Sequence, residues 1–146
     1  ELTTEEIKTA FQSIANKYNA SEILINVTGG EPLIRKDVFE VMEFANSLGY
    51  PWGMTTNGIL INDENILKME KAGMTTISIS LDGMEKSHDE FRGVKGSYSR
   101  IIENIKKLKK ANFLNYLQIT TVVNKSLDFA QNVYVAEKFT NHYCCK

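Results

Sequence analysis

Four short segments carry residue types that could bind or act on a ligand. The first is Gly29-Gly30-Glu31-Pro32, which ends the apolar run "ILINVT". Two glycines bare the backbone to close approach, and Glu31 adds a carboxylate, so the loop is rich in acceptors. That composition suits a cationic group such as an ammonium. It does not suit phosphate, because the Gly-x-x-x-x-Gly-Lys pattern is missing and the acid would repel the ligand. Pro32 fixes the direction in which the chain leaves. The second segment is "TTNG", which puts Asn57 at a turn. The third is "SLDG", where Ser80 and Asp82 offer a hydroxyl and a carboxylate suited to ribose hydroxyls. Asp82-Gly83 is equally a good turn. The fourth is "VVNK", with Asn124. Arg92, in "HDEFRG", could fork onto a ligand carboxylate or form a surface ion pair. Ser87 and Glu90 make a capping-box pattern, so His88 reads as part of a helix start rather than as a catalytic base. No residue is assigned a catalytic role.

The elements that must position these segments alternate between helical and strand patterns. "TTEEIKTAFQSIANKY" opens on a capping box, Thr3 to Glu6, and repeats Ile7, Ala10, Phe11 and Ile14 at helical spacing. Strand patterns follow in "EILINVT", "YPWGMTT", "TTISISL" and "YLQITTVV". Helical patterns lie between them in "KDVFEVMEFANSLG", "DENILKMEKAG" and "SYSRIIENIKKLKKA", and a last one is expected in "DFAQNVYVAEKFT". The stretch between Leu81 and Ser97 reads as a polar loop. Strands separated by helices imply right-handed crossovers and a parallel sheet. A barrel, a barrel segment and a doubly wound sheet all satisfy that order, within one domain over residues 1–146.

Alternation along the strands gives a further constraint. Ile77, Ile79 and Leu81 share one face, and Ser78, Ser80 and Asp82 share the other. Thr55 and Asn57 fall on one face with Gly53, and Gln118, Thr120, Val122 and Asn124 share a face. Central strands of a parallel sheet are usually apolar on both sides. Burying unpartnered polar groups costs about 1–3 kcal/mol each, so the polar face should look into a wet or occupied hollow. All four candidate segments lie at the C-terminal ends of their strands, the edge where parallel α/β folds bind ligands.

Bulk properties agree with an ordinary globular domain. The chain has 146 residues, 42% of them apolar and 24% charged, with a net charge of −1. That balance gives no general attraction to nucleic acid or to an anionic membrane. No apolar run is long enough to cross a bilayer and no signal-peptide pattern opens the chain, so a cytoplasmic location is expected. Lys106, Lys107, Lys109 and Lys110 lie opposite Ile101, Ile102, Ile105 and Leu108 and read as a solvated helix face. The two cysteines, Cys144 and Cys145, are adjacent and match no disulfide, zinc or cluster spacing.

Taken in order, "VTGGEPLIRKD", "TTNGILI", "ISISLDGMEKSHDEFRGVKGSYSRIIENIKKLKKA" and "TTVVNK" resemble the radical S-adenosylmethionine (SAM) superfamily, and its peptide- and protein-modifying branch in particular. The resemblance implies a partial (β/α) barrel, with four parallel strands of a six-stranded open barrel. It implies SAM bound to a [4Fe–4S] cluster, cleaved reductively to a 5′-deoxyadenosyl radical that abstracts hydrogen from a peptide or small-molecule substrate, with a reductase as electron donor. Gly29, Gly30 and Glu31 would then receive the methionyl ammonium. Ser80 would line the ribose and methionyl region with help from Asp82, Arg92 would hold the carboxylate, and Asn124 would pass the nucleoside. The family's cluster ligands, Cys-x-x-x-Cys-x-x-Cys, are expected before Glu1, so the chain reads as part of a longer protein. Two other readings remain: a non-enzymatic module binding an amino acid or nucleotide at the same edge, and an interaction domain using the lysine-rich helix. Residues 1–146 alone are expected to release no 5′-deoxyadenosine from SAM under reducing conditions, which chromatography of the reaction would check.

Overall fold

The computed structural model describes residues 1–122. The expected last helix, Asn124, Cys144 and Cys145 lie outside the described residues. The elements run α1 (Thr4–Ala15), β1 (Ile25–Val27), α2 (Val38–Ser47), β2 (Trp52–Thr56), α3 (Asp63–Lys71), β3 (Met74–Ser80), α4 (Glu85–Arg92), α5 (Ser97–Ala111) and β4 (Tyr116–Thr120). Short 3₁₀ turns occupy Ala20–Glu22 and Pro32–Ile34.

Local chemistry explains the boundaries. Thr3 caps α1, and Glu6 reaches back to the Thr3 amide at 2.7 Å, completing the expected box. Asn62 caps α3 by accepting from Asn65 N at 2.8 Å. β1 is shorter than the apolar run that predicts it. Asn19 accepts from the Ser21 amide and turns Ala20–Glu22 into a 3₁₀ turn before the strand begins. The expected polar loop before α5 holds a helix, α4, closed by Gly93 in the left-handed region at φ +68°. That helix starts at Glu85, and Met84 rather than Ser87 stands at its N-cap. Only His88 of its residues is buried, so it lacks the apolar period that reveals helices from sequence.

The sheet is wholly parallel, in the order β1-β2-β3-β4. A sequential order with right-handed crossovers places every connecting helix on one face. That is the winding of a barrel segment. A doubly wound sheet reverses its strand order and covers both faces. Burial agrees. Trp52, Met54, Ile77, Ile79, Leu81 and Leu117 are buried and form one core with Met42, Met69, Ile101, Ile105 and Leu108 from the helices. The other face holds Asn26, Gln118 and Thr120, which are exposed, and Thr55, Ser78 and Ser80, which are partly so. Among the described residues nothing packs over this row. Ser78 and Thr120 satisfy each other across β3 and β4, hydroxyl to hydroxyl at 2.5 Å. On α5 the lysines at 106, 107, 109 and 110 face solvent, and Lys107 pairs with Asp63 at 3.1 Å.

One irregularity sets the register. Trp52 pairs with Met74, but Gly53 pairs with Thr76, so β3 carries one extra residue at Thr75. The bulge lets both Met74 and Ile77 reach the core. It also presses Thr76 against β2. A Cβ on Gly53 would lie 1.9 Å from Thr76 Oγ1 and 2.7 Å from the Thr76 carbonyl oxygen. Gly53→Ala should therefore lose about 1–3 kcal/mol of stability in urea unfolding, by overpacking. Thr76→Ala should recover only part of it, since the carbonyl clash remains.

Candidate functional site

The C-terminal sheet edge is built by two carboxylates that reach sideways. After β1, the chain passes through Thr28, Gly29 and Gly30, all exposed, to Glu31. Glu31 Oε1 accepts from the Thr56 hydroxyl at 2.7 Å and from the Leu33 amide at 3.2 Å. Glu31 Oε2 accepts from the Asn57 amide at 2.8 Å. The side chain thus caps its own 3₁₀ turn, which begins at buried Pro32, and ties the β1 loop to the end of β2. Gly29 sits at φ +141°, and a Cβ built on Gly29 or Gly30 meets nothing within 4 Å. The loop is held at both ends while its backbone stays open to a visitor. A cavity of about 420 Å³ runs beside it between α1, β1 and α2, lined by Ile7, Phe11, Val27 and Gly30 among others.

The second carboxylate is Asp82, just past β3. It is fully buried. Its Oδ2 accepts from Arg92 Nε at 2.7 Å and lies 2.5 Å from Arg92 Nη2. Its Oδ1 accepts from the Val122 amide at 2.7 Å. The Asp82 amide donates to His88 Nδ1 at 2.9 Å. Burial, the largest influence, pushes the His88 imidazole below its ordinary pKa, and Arg92 adds to that, while Asp82 and Asp89 oppose it.

The structure brings Gly29, Gly30, Glu31, Pro32 and Asn57 together, and separately joins Asp82 to Arg92. Ser80 stands half-exposed on the open polar face at the end of β3. It lies two strands from β1, roughly 10 Å away at ordinary strand spacing. Three of these side chains are engaged within the protein: Asn57 at its turn and Arg92 in an ion pair, both readings that the sequence allowed, and Asp82 in bonds that it did not foresee. Asn57 Oδ1 accepts from the Ile59 amide at 2.9 Å and shapes the turn after β2. Asp82 turns both oxygens to protein donors and has no surface left for ribose. Arg92 gives Nε and Nη2 to Asp82.

A family model described as the Radical SAM superfamily matches residues 1–128. The chain belongs to the radical SAM superfamily. An AdoMet-dependent heme synthase of Methanosarcina barkeri is 37% identical over 126 residues, covering 86% of this chain and 35% of that protein. The sporulation killing factor maturation protein SkfB of Bacillus subtilis is 34% identical, covering 77% of this chain and 27% of that protein. SuiB of Streptococcus suis, in a structure with S-adenosylmethionine bound, shares the fold at TM-score 0.78 and 18% identity, over 96% of this chain and 31% of that one. The chain spans about a third of the length of the heme synthases it matches.

Radical SAM enzymes carry SAM and a [4Fe–4S] cluster, and the residues here divide accordingly. The bare Gly29–Gly30 backbone and the Ser80 hydroxyl fit a polar, cationic ligand. Among the described residues no group of three His, Cys, Asp or Glu stands where it could hold a metal. No described helix is long and apolar enough to cross a membrane.

Sequence reading missed two participants. Thr56 is buried, donates to Glu31 and accepts from the Gly58 amide at 3.0 Å. The signal was a hydroxyl on the same row as Trp52 and Met54, out of pattern with its neighbours. Asp89 was the other. Its carboxylate accepts from the Tyr98 amide and the Ser97 hydroxyl at 3.0 and 2.9 Å, and from the Gly96 amide, which pins the start of α5 to α4 and lowers the Asp89 pKa. Nothing in local sequence marks a contact made seven to nine residues away. Glu31→Gln keeps the shape of the first tie but turns an amide toward one of three donors. Unfolding in urea should show it about 1–3 kcal/mol less stable.

Proposed function

We propose that this chain is the SAM-binding part of a radical SAM enzyme. The observation that carries the reading is the Gly29–Gly30 backbone, unobstructed on its outer side and braced by Glu31 between β1 and β2. In this reading the carbonyls of Gly29 and Gly30 take the methionyl ammonium, and Glu31 adds negative charge while holding the loop in place. Pro32 starts the turn that gives Glu31 its angle. Ser80 offers its hydroxyl to the ribose or methionyl region, and Asn124 belongs to the nucleoside side. Asp82 acts at one remove, by holding Arg92 and the end of β4. Arg92 is left with Nη1 for a ligand carboxylate. Asn57 contributes by its amide and turn.

When bound, SAM and the cluster supply one-electron reduction and hydrogen abstraction. The chain's own part is to orient the ligand and surround it with groups that neither titrate readily nor give up hydrogen easily. The hydroxyls and amides of the open face have that character. A reductase is the expected electron donor.

For the substrate we keep a peptide, supported by the likeness to SkfB. A tetrapyrrole is the second reading, favoured by the 37% identity to a heme synthase. The test uses the full-length protein with its cluster reconstituted. Gly30→Ala has room for its methyl group in the ligand-free loop, so its thermal unfolding should match wild type. Its SAM affinity should fall about tenfold, since the methyl group occupies the approach to the backbone. Equal affinity in the two proteins would overturn the assignment. Precursor peptide and iron-coproporphyrin, offered in parallel with SAM and reductant, distinguish the two substrates by which one raises 5′-deoxyadenosine yield.

A further inference from the structure

Helix α4 turns two side chains, one helical turn apart, onto a single residue. Arg92 takes the Asp82 carboxylate and His88 takes the Asp82 amide. Because Nδ1 accepts that bond, the proton of the neutral ring sits on Nε2. His88 is 1% exposed, and its Nε2 has no hydrogen-bond partner. The ring edge packs near Tyr98 of α5, with centroids 6.1 Å apart. A buried donor without a partner costs about 1–3 kcal/mol, and a leucine or phenylalanine would fill the space without that cost. Neither could accept from the Asp82 amide. The feature peculiar to histidine here is therefore the acceptor at Nδ1, together with its ability to lose that acceptor by protonation.

We propose that His88 is a positioning residue for the ligand edge: the neutral ring locks the Asp82 backbone, and protonation of Nδ1 releases the segment from Asp82 to Val94 together with Arg92. A protonated Nδ1 would confront the Asp82 N–H donor to donor. The lock also bears on β4, because the Asp82 carboxylate holds the Val122 amide. The consequence for SAM affinity rests on the function proposed above, whereas the lock itself does not.

The charged and titratable groups facing the ring are Asp82 from the β3 loop, Asp89 and Arg92 from α4, and Tyr98 from α5. The two acids favour the imidazolium, but burial outweighs them and sets the folded pKa below 6.5. The unfolded chain then binds more protons than the folded one as pH falls past that value. The lock is complete above 6.5 and is lost as pH falls through the lower folded value.

The experiment follows amide hydrogen exchange of residues 82–94 in the full-length protein from pH 5 to 8, corrected for intrinsic exchange, beside equilibrium SAM binding. Wild type should lose protection progressively toward the acid end, because the buried ring resists the proton that breaks its bond to the Asp82 amide. His88→Asn places a non-titrating acceptor near the Nδ1 position, so it should keep the protection of wild type at pH 8 and hold it flat with pH. His88→Leu should lack protection throughout. SAM affinity should follow protection in all three. An acid loss in His88→Asn equal to that of wild type, or a flat profile in wild type, would overturn the proposal. Should wild type protein bind no SAM, the function proposed above fails, while the exchange profiles still decide the lock.

Discussion

A parallel sheet with helices on only one side has to do something with its other face. In this chain the helix-covered face is made of Trp52, Met54, Ile77, Ile79 and Leu117, and the uncovered one of Asn26, Thr55, Ser78, Ser80 and Thr120. The apolar row gains its stability from burial, at about 25 cal/mol per Å². The polar row would forfeit much of that gain if it were packed dry. Winding the chain in one direction resolves the conflict, because sequential order puts all connections on the greasy side. The open polar surface is thus a result of that one constraint.

An open face leaves the strand ends without a covering layer to hold them, and two carboxylates take that role. Glu31, after β1, accepts the amide of Asn57 just past β2. Asp82, after β3, accepts the amide of Val122 just past β4. Each acid binds a backbone N–H beyond the neighbouring strand and so fixes the relative advance of two loops. Bonds to an ionised acceptor are shorter and stronger than neutral ones, which suits a tie that must work beside solvent. The β2-to-β3 junction uses different means. There the bulge at Thr75 and the close contact of Gly53 with Thr76 set the register from inside the sheet.

Much of this was legible in the residues. Alternation in "TTISISL" separated the two faces, and the motifs after β1, β2 and β3 fall at one edge of the parallel sheet. The helix over 97–111 was readable because its apolar period is strong and unbroken. The α4 helix was not, because one buried residue in eight gives no period. The carboxylates were recognised as important, but their partners were not. Sequence spacing carries no information about Glu31 meeting Asn57 across 26 positions or Asp82 meeting Val122 across 40. An acid in a glycine loop looks the same whether it faces a ligand or a neighbouring amide.

The two acids are not equivalent, and burial separates their roles. Glu31 is only partly buried and keeps lone-pair capacity beyond its three donors, so it can serve as tie and ligand acceptor together. Asp82 has no exposed surface, and a buried carboxylate without a partner is strongly destabilising. It requires Arg92. That requirement restricts the arginine, since two of its nitrogens face Asp82 and its side chain is only 35% exposed. A guanidinium fixed in this way loses reach but gains preorganisation, because its plane is set before any ligand arrives. The position of Arg92 at the edge is then determined by Asp82, and the position of Asp82 by the imidazole that holds its amide.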